Sequence, residues 1–164
     1  MGEPVLTEEL ARRFPSEQAL ADAAADFAVR CRDAGLRPLL IGLEGDLGSG
    51  KTTWARAMLR GLGYSGRVPS PTYTLVEQYP VGGFVVAHFD LYRLAGGEEL
   101  ENLGIRDWLA DQTAWLLVEW PGRAEAIASA CDVVLRLEIE GEAARRLTAR
   151  AQTDAGAAAI RTLA

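Results

Sequence analysis

The sequence predicts an α/β fold in one domain, a sheet flanked by helices, and three observations carry that prediction. A continuous apolar run, Pro38 to Gly45 ("PLLIGLEG"), passes through a glycine-rich stretch into a segment with helical spacing, Thr52 to Gly63. A run that is apolar at every position reads as a strand covered on both faces, as in a parallel sheet. Further strand-like and helix-like segments alternate towards the C-terminus, with no linker, repeat or low-complexity stretch. The chain has 164 residues, 49% hydrophobic and 24% charged, which suits a single core. We therefore expect one domain over 1–164, its core about 16–151.

The elements follow in order. Ser16 is placed to cap a helix in which Leu20, Ala24, Phe27 and Cys31 share one face while Asp22, Asp26, Arg30 and Asp33 share the other; Gly35 ends it. Pro38–Gly45 is the buried strand, and the helix after it stops at Gly63. "TYTLVEQY" and "GFVVAHFD" flank Pro80-Val81-Gly82-Gly83, so Thr72–Tyr79 and Gly83–Asp90 are expected to pair as a hairpin. Leu100, Leu103 and Trp108 fall on one or two short amphipathic helices. A second apolar run, Ala114 to Val118, stops at Glu119. A helix from about Pro121 to Ala130 follows, then an alternating strand with Leu135, Leu137 and Ile139 inward, a turn at Gly141-Glu142, and a return strand carrying Leu147, Ala149 and Ala151. The alanine-rich tail from Asp154 is expected to fray.

The net charge of −6 excludes a dedicated nucleic-acid surface, which needs clustered Lys and Arg, so any role on RNA is expected to be indirect. Arg12-Arg13 and Arg145-Arg146 read as solvated surface charge. The two cysteines, Cys31 and Cys131, lack ligand spacing and read as reduced core thiols. The N-terminus carries Glu3, Glu8 and Glu9 in place of a basic start, and no apolar stretch is long enough to span a membrane. The chain is thus expected in the cytoplasm, away from membranes.

Gly45-Asp46-Leu47-Gly48-Ser49-Gly50-Lys51-Thr52 fits GxxxxGK[ST] in full, between a strand and a helix. Glycines there let backbone N–H groups curl round a β-phosphate, with the positive helix N-terminus behind them. Lys51 should reach the β and γ oxygens, and the Thr52 hydroxyl should ligate Mg²⁺. Hydrolysis further needs an acid at a neighbouring strand end. Asp90 and Glu119 both end apolar runs, and each is a candidate to hold Mg²⁺ or place water. The sole histidine, His88, reads as structural. With no N-K-x-D to favour guanine, ATP is the expected nucleotide.

"SPTYTLVEQY" (Ser70 to Tyr79), "HFDLYRL" (His88 to Leu94) and "LLVEWPGR" (Leu116 to Arg123), in this order after "GDLGSGKTT", closely resemble the bacterial TsaE (YjeE) family, the ATPase component of the machinery that installs threonylcarbamoyladenosine on tRNA. The resemblance spans roughly Ser16 to Ala151. It implies a P-loop NTPase-like mixed sheet and a small ATPase that joins a two-subunit threonylcarbamoyl transferase of TsaB/TsaD type and lets it turn over. By motif position it makes Lys51, Thr52 and Thr53 the phosphate and magnesium residues and Asp90 and Glu119 the essential acids. Ser70 to Tyr73, with the Thr72 hydroxyl, becomes a switch-like loop over ATP, and Trp120 lies beside the site. Tyr92 and Arg93 read either as partner contacts or as surface packing. The chain has Gly122 where the family usually has Glu, and Ser49 where alanine is common. A small-molecule kinase and a non-hydrolysing nucleotide-gated module share the P-loop and remain alternatives.

Overall fold

The computed structural model describes residues 8–164; Glu3 lies outside the described residues. The apolar run forms β2 (Leu39–Glu44), buried along nearly its whole length because it has strands on both sides and helices on both faces. β1 (Glu9–Phe14) and α1 (Glu17–Asp33) precede it, and α2 (Lys51–Gly61) follows. Then come β3 (Val76–Val81), β4 (Phe84–Asp90), α3 (Gly97–Asn102), α4 (Ile105–Ala110), β5 (Trp115–Glu119), α5 (Glu125–Ala130), β6 (Val133–Glu140), β7 (Ala144–Ala151) and α6 (Asp154–Arg161).

Among the described residues the strands form one mixed sheet in the order β1-β7-β6-β2-β5-β4-β3. β6, β2, β5 and β4 run parallel, and the antiparallel pairs β1/β7, β7/β6 and β3/β4 extend the sheet at its two sides. Alternation sorts the side chains. Ile41, Leu43, Trp115, Leu117, Leu135 and Leu137 pack with Leu20, Phe27, Trp54 and Ile160 from α1, α2 and α6. Leu40, Leu116, Val118 and Phe89 pack on the other face with Leu100, Ile105 and Ile127 from α3, α4 and α5. Helices therefore cover both faces of the parallel centre, as the α/β expectation requires.

Ser16 does cap α1, its Oγ accepting from the Ala19 N–H at 3.1 Å. α1 and α2 approach closely: a Cβ at Gly61 would lie 2.5 Å from the Ala25 carbonyl oxygen.

Several expectations need correction. β1 lies upstream of the expected core; its sequence, ELARRF, shows little apolar alternation because it is an edge strand buried only at Phe14. Arg12 stacks on the Phe14 ring and Arg13 pairs with Glu140. The tail does not fray. Thr153 caps α6 by accepting from the Gly156 N–H at 3.1 Å, and Ile160 and Leu163 are buried in the main core. The hairpin turns only at Gly82-Gly83, both at positive φ, while Pro80 sits within β3, an edge strand that tolerates a missing N–H. Thr72 to Leu75 is a turn instead of strand, and Leu75 has φ 66°. The helix expected from Pro121 is a 3₁₀ turn, Pro121–Arg123, followed by α5, because Ala124 between them is extended. Ile139 is half exposed: the core ends at Leu137, and Ile139 lies beyond it near the hairpin turn.

Gly61→Ala should drive its methyl into the α1 backbone. We expect a loss of about 1–3 kcal/mol, the usual cost of overpacking, read from the urea unfolding midpoint.

Candidate functional site

Glycine chemistry sets the loop between β2 and α2. Gly45, Gly48 and Gly50 have φ of 137°, 80° and 111°, and a Cβ on Gly45 would collide with the Leu137 carbonyl and with Ser49 Oγ. The turn closes through the Ser49 N–H on the Asp46 carbonyl at 3.1 Å, and α2 begins with the Trp54 N–H on the Gly50 carbonyl at 2.8 Å. The N-terminal amides of α2 thus lie at a cleft of about 400 Å³ lined by Leu47, Gly48, Gly50, Lys51, Thr52 and Thr53.

Parallel register brings the acids to this cleft. Leu43 of β2 pairs with Glu119 of β5, and Glu119 pairs with Asp90 of β4. Alternation from Trp115 and Leu117, and from Phe84 and Val86, puts both carboxylates on the α1/α2 face of the sheet. Both are almost fully buried, Glu119 3% exposed and Asp90 6%. The Thr52 hydroxyl donates to Glu119 Oε1 at 3.0 Å, and Asp90 Oδ1 accepts the Tyr92 N–H at 3.0 Å. Burial pushes the Asp90 carboxyl above its usual range; the Tyr92 N–H opposes this, Glu119 adds to it, and His88 and Lys51 also oppose it.

Lys51 donates to the carbonyls of Gly45 at 2.5 Å and Asp46 at 2.9 Å, with its ammonium 4.4 Å from the centre of the Trp120 ring. Burial lowers its proton affinity, against the pull of Glu119, Asp90 and Asp46. Trp120 has φ 60°, is held by its N–H on the Leu43 carbonyl at 3.0 Å, and packs on Tyr92 at 5.0 Å between ring centres. Across the cleft, Ser70 and Thr72 share a 2.9 Å hydroxyl hydrogen bond, and Arg93 stacks on the exposed Tyr73.

Of the residues expected from sequence, Leu47, Gly48, Gly50, Lys51, Thr52, Thr53, Thr72, Asp90, Glu119 and Trp120 line the cleft together. Gly45, Asp46 and Ser49 belong to the loop but do not line the cleft. Gly45 and Asp46 supply the carbonyls under Lys51, and the buried Ser49 Oγ has no hydrogen-bond partner among the described residues. Gly122 borders a separate hollow with Glu44, Arg123 and Arg136.

Two residues set aside in the sequence belong here. Arg145, expected as solvated charge, lines the cleft and donates to the Ser49 carbonyl at 3.1 Å and the Gly48 carbonyl at 3.4 Å. His88 is buried with Nε2 2.6 Å from Glu119 Oε2. Nothing local marks Arg145, which follows the loop by 96 positions. For His88 the signal was its place two residues before Asp90, on the same face of the strand. Glu17 and Leu20 of α1 complete the wall, Glu17 accepting from the Thr53 hydroxyl at 3.4 Å.

Among the described residues no group of three or more His, Cys, Asp or Glu side chains forms a metal cage. The oxygen donors present, the Thr52 hydroxyl and the carboxylates of Asp90 and Glu119, suit Mg²⁺, which takes one or two carboxylates and completes its shell with phosphate and water. No helix among the described residues is long and apolar enough to cross a membrane.

The family model described as "Threonylcarbamoyl adenosine biosynthesis protein TsaE" matches residues 14–148. The tRNA threonylcarbamoyladenosine biosynthesis protein TsaE of Haemophilus influenzae is 39% identical over 150 residues, covering 91% of this chain and 94% of that protein. The protein of the same name from Streptomyces coelicolor is 39% identical over 105 residues, 62% of this chain and 68% of its own. The crystal structure of Bacillus subtilis YdiB superposes with a TM-score of 0.73 over 96% of this chain and 95% of that one at 24% identity, which is a likeness of fold.

The raised proton affinity of Asp90 means that its charged form costs the folded state stability. The cost is full above the raised folded pKa, fades as pH falls from there, and is gone below 3.8, the ordinary value. Asp90→Asn, which keeps the acceptor for the Tyr92 N–H, should therefore raise Tm at neutral pH. The gain should vanish in scans below the ordinary carboxylate range.

Proposed function

The chain belongs to the TsaE family, and from that premise we propose that it is a Mg²⁺-dependent ATPase serving tRNA threonylcarbamoyladenosine biosynthesis. In this reading it docks with a two-subunit threonylcarbamoyl transferase of TsaB/TsaD type while ATP is bound, and hydrolysis resets the assembly. The observation that carries the reading is the Thr52–Glu119 hydrogen bond opposite Asp90, with Lys51 alongside. Phosphate-binding, metal-binding and water-placing groups meet there in one cleft.

Each residue has a task. The loop amides and the α2 N-terminus bind the α- and β-phosphates, and Thr53 extends that row. Lys51 exchanges the carbonyls of Gly45 and Asp46 for β- and γ-phosphate oxygens, a stronger charge-assisted contact. Thr52, Asp90 and Glu119 would hold Mg²⁺, which when bound neutralises charge developing on the phosphate oxygens. The same two carboxylates supply the acceptor for the proton of the attacking water as its oxygen bonds to the γ-phosphorus. The bond from that phosphorus to the β-bridging oxygen breaks, giving ADP and phosphate. Ser70 and Thr72 face the γ end, where the Thr72 hydroxyl, on a loop stiffened by Pro69 and Pro71, suits a switch.

The arginines of the cleft are already engaged, Arg93 stacking on Tyr73 and Arg145 holding the loop carbonyls, and Arg123 on the neighbouring hollow stacks on Tyr92. That leaves transition-state charge for a partner to neutralise, a contribution worth about 10³ to 10⁵ in rate when an arginine is supplied in trans. A net charge of −6 likewise favours reaching tRNA through the transferase.

Three outcomes test this reading. Lys51→Ala should abolish tight ATP binding in calorimetry, and unchanged affinity would remove the P-loop assignment. Glu119→Gln should bind ATP but cut phosphate release at least tenfold, about 1.4 kcal/mol on the barrier. Release by the wild type should rise when the transferase pair is added, and equal rates with and without it would overturn the partner dependence.

A further inference from the structure

His88 is the chain's only histidine and is completely buried on β4, two residues before Asp90. It pairs in register with Leu117, two residues before Glu119 on the neighbouring strand. Its Nε2 lies 2.6 Å from Glu119 Oε2, and its Nδ1 has no hydrogen-bond partner among the described residues. Glu119 Oε1 accepts from the Thr52 hydroxyl at 3.0 Å. The Thr52 hydroxyl also lies 3.3 Å from Oε2, so the carboxylate is gripped by the ring on Oε2 and, most closely on Oε1, by the hydroxyl at the start of the phosphate-binding helix.

Space filling does not explain an imidazole here. An apolar side chain would serve on this face beside Val86 and Leu117, without the desolvation cost of leaving a ring nitrogen unsatisfied. Among the described residues the one polar contact of the His88 side chain is to Glu119, and at 2.6 Å it is short.

We propose that His88 is a positioning residue for Glu119. It donates Nε2–H to Oε2, fixes the plane of the carboxylate, and so turns Oε1 towards Thr52 and the phosphate end of the cleft. The neutral ring with its proton on Nε2 meets both constraints: an ionised carboxylate only accepts, and the orphaned Nδ1 then carries a lone pair and no buried N–H. Groups that orient a metal-facing side chain in this way are typically worth 10–100-fold in affinity or activity. The inference rests on the hydrolytic reading for its consequence in rate, but the hydrogen bond is tested independently of turnover.

The test has two arms on the full chain. In the ¹⁵N-labelled protein, long-range ¹⁵N–¹H spectra report one imidazole and need no assignment. They should show a protonated Nε2, a bare Nδ1, and a downfield, exchange-protected Nε2 proton that moves or disappears in Glu119→Gln. A bare Nε2, or a ring proton indifferent to Glu119→Gln, overturns the proposal. In the second arm, His88→Leu should slow ATP hydrolysis by roughly ten- to hundredfold with ATP affinity held within about threefold, while His88→Gln, which restores an amide donor at similar reach, recovers most of the rate. If folded His88→Leu turns over like the wild type, or His88→Gln is no better than His88→Leu, the residue only fills space and the positioning role is wrong. If the wild type itself hydrolyses no ATP, the hydrolytic reading fails, and the spectra alone decide whether His88 holds Glu119.

Discussion

The parallel register across β2, β5 and β4 is the constraint on which the rest depends. Leu43 stands opposite Glu119, and Glu119 opposite Asp90, so three chain segments distant in sequence end at one level. The loop leaves β2 one residue beyond Glu44, and both acids meet it on the face where α2 begins. A slip of one residue in β5 would turn Glu119 to the opposite face and put Val118, now in the α3 to α5 core, beside Thr52. Burial prevents that slip, because Trp115, Leu117 and Glu119 alternate with Leu116 and Val118 between two dry layers. The packing that stabilises the sheet thereby aims the chemistry.

Much of this was legible in the sequence wherever the cause is local. The loop announces itself because phosphate binding needs glycines at fixed offsets before Lys51 and Thr52, and Asp90 and Glu119 stand out as charges ending apolar runs. β2 was legible for the same reason, being apolar from Leu39 to Leu43 and ending on the charge of Glu44. What escaped depends on distant contacts. ELARRF is a strand because β7 offers an edge, and α6 is ordered because Ile160 and Leu163 find the core beside α1. Arg145 gains its place only when the β6–β7 hairpin folds back against the loop. The contact of His88 with Glu119 escaped because its partner lies 31 residues away.

The site also concentrates features that cost stability. Lys51, Asp90 and Glu119 are charged side chains among the most buried in the chain, in an apolar setting that disfavours charge. Leu75 and Trp120 adopt positive φ where β3 begins and where β5 ends, a conformation that side chains beyond glycine enter at a cost of about 1–3 kcal/mol. Each is held by its surroundings: the Leu75 N–H bonds to the Pro71 carbonyl at 2.9 Å, and the Trp120 N–H bonds to the Leu43 carbonyl. Trp120 and the buried charges thus line the same cleft, with Leu75 bonded to the Asp90 N–H behind it, while the opposite core remains conventionally apolar.

Arg145 gives the β6–β7 hairpin a mechanical character. Its guanidinium ties that hairpin to the outward carbonyls of Gly48 and Ser49, and on the other side the Leu137 carbonyl closes on Gly45. The loop is held in a vice whose two jaws are neighbouring strands of one ribbon, and the free end of that ribbon, at Gly141, projects past the core. A change at the tip, far from any residue that meets phosphate, would twist both jaws together. The hairpin is thus the natural handle by which tuning, through drift or through design, could alter how firmly the loop grips while leaving every contact residue in place.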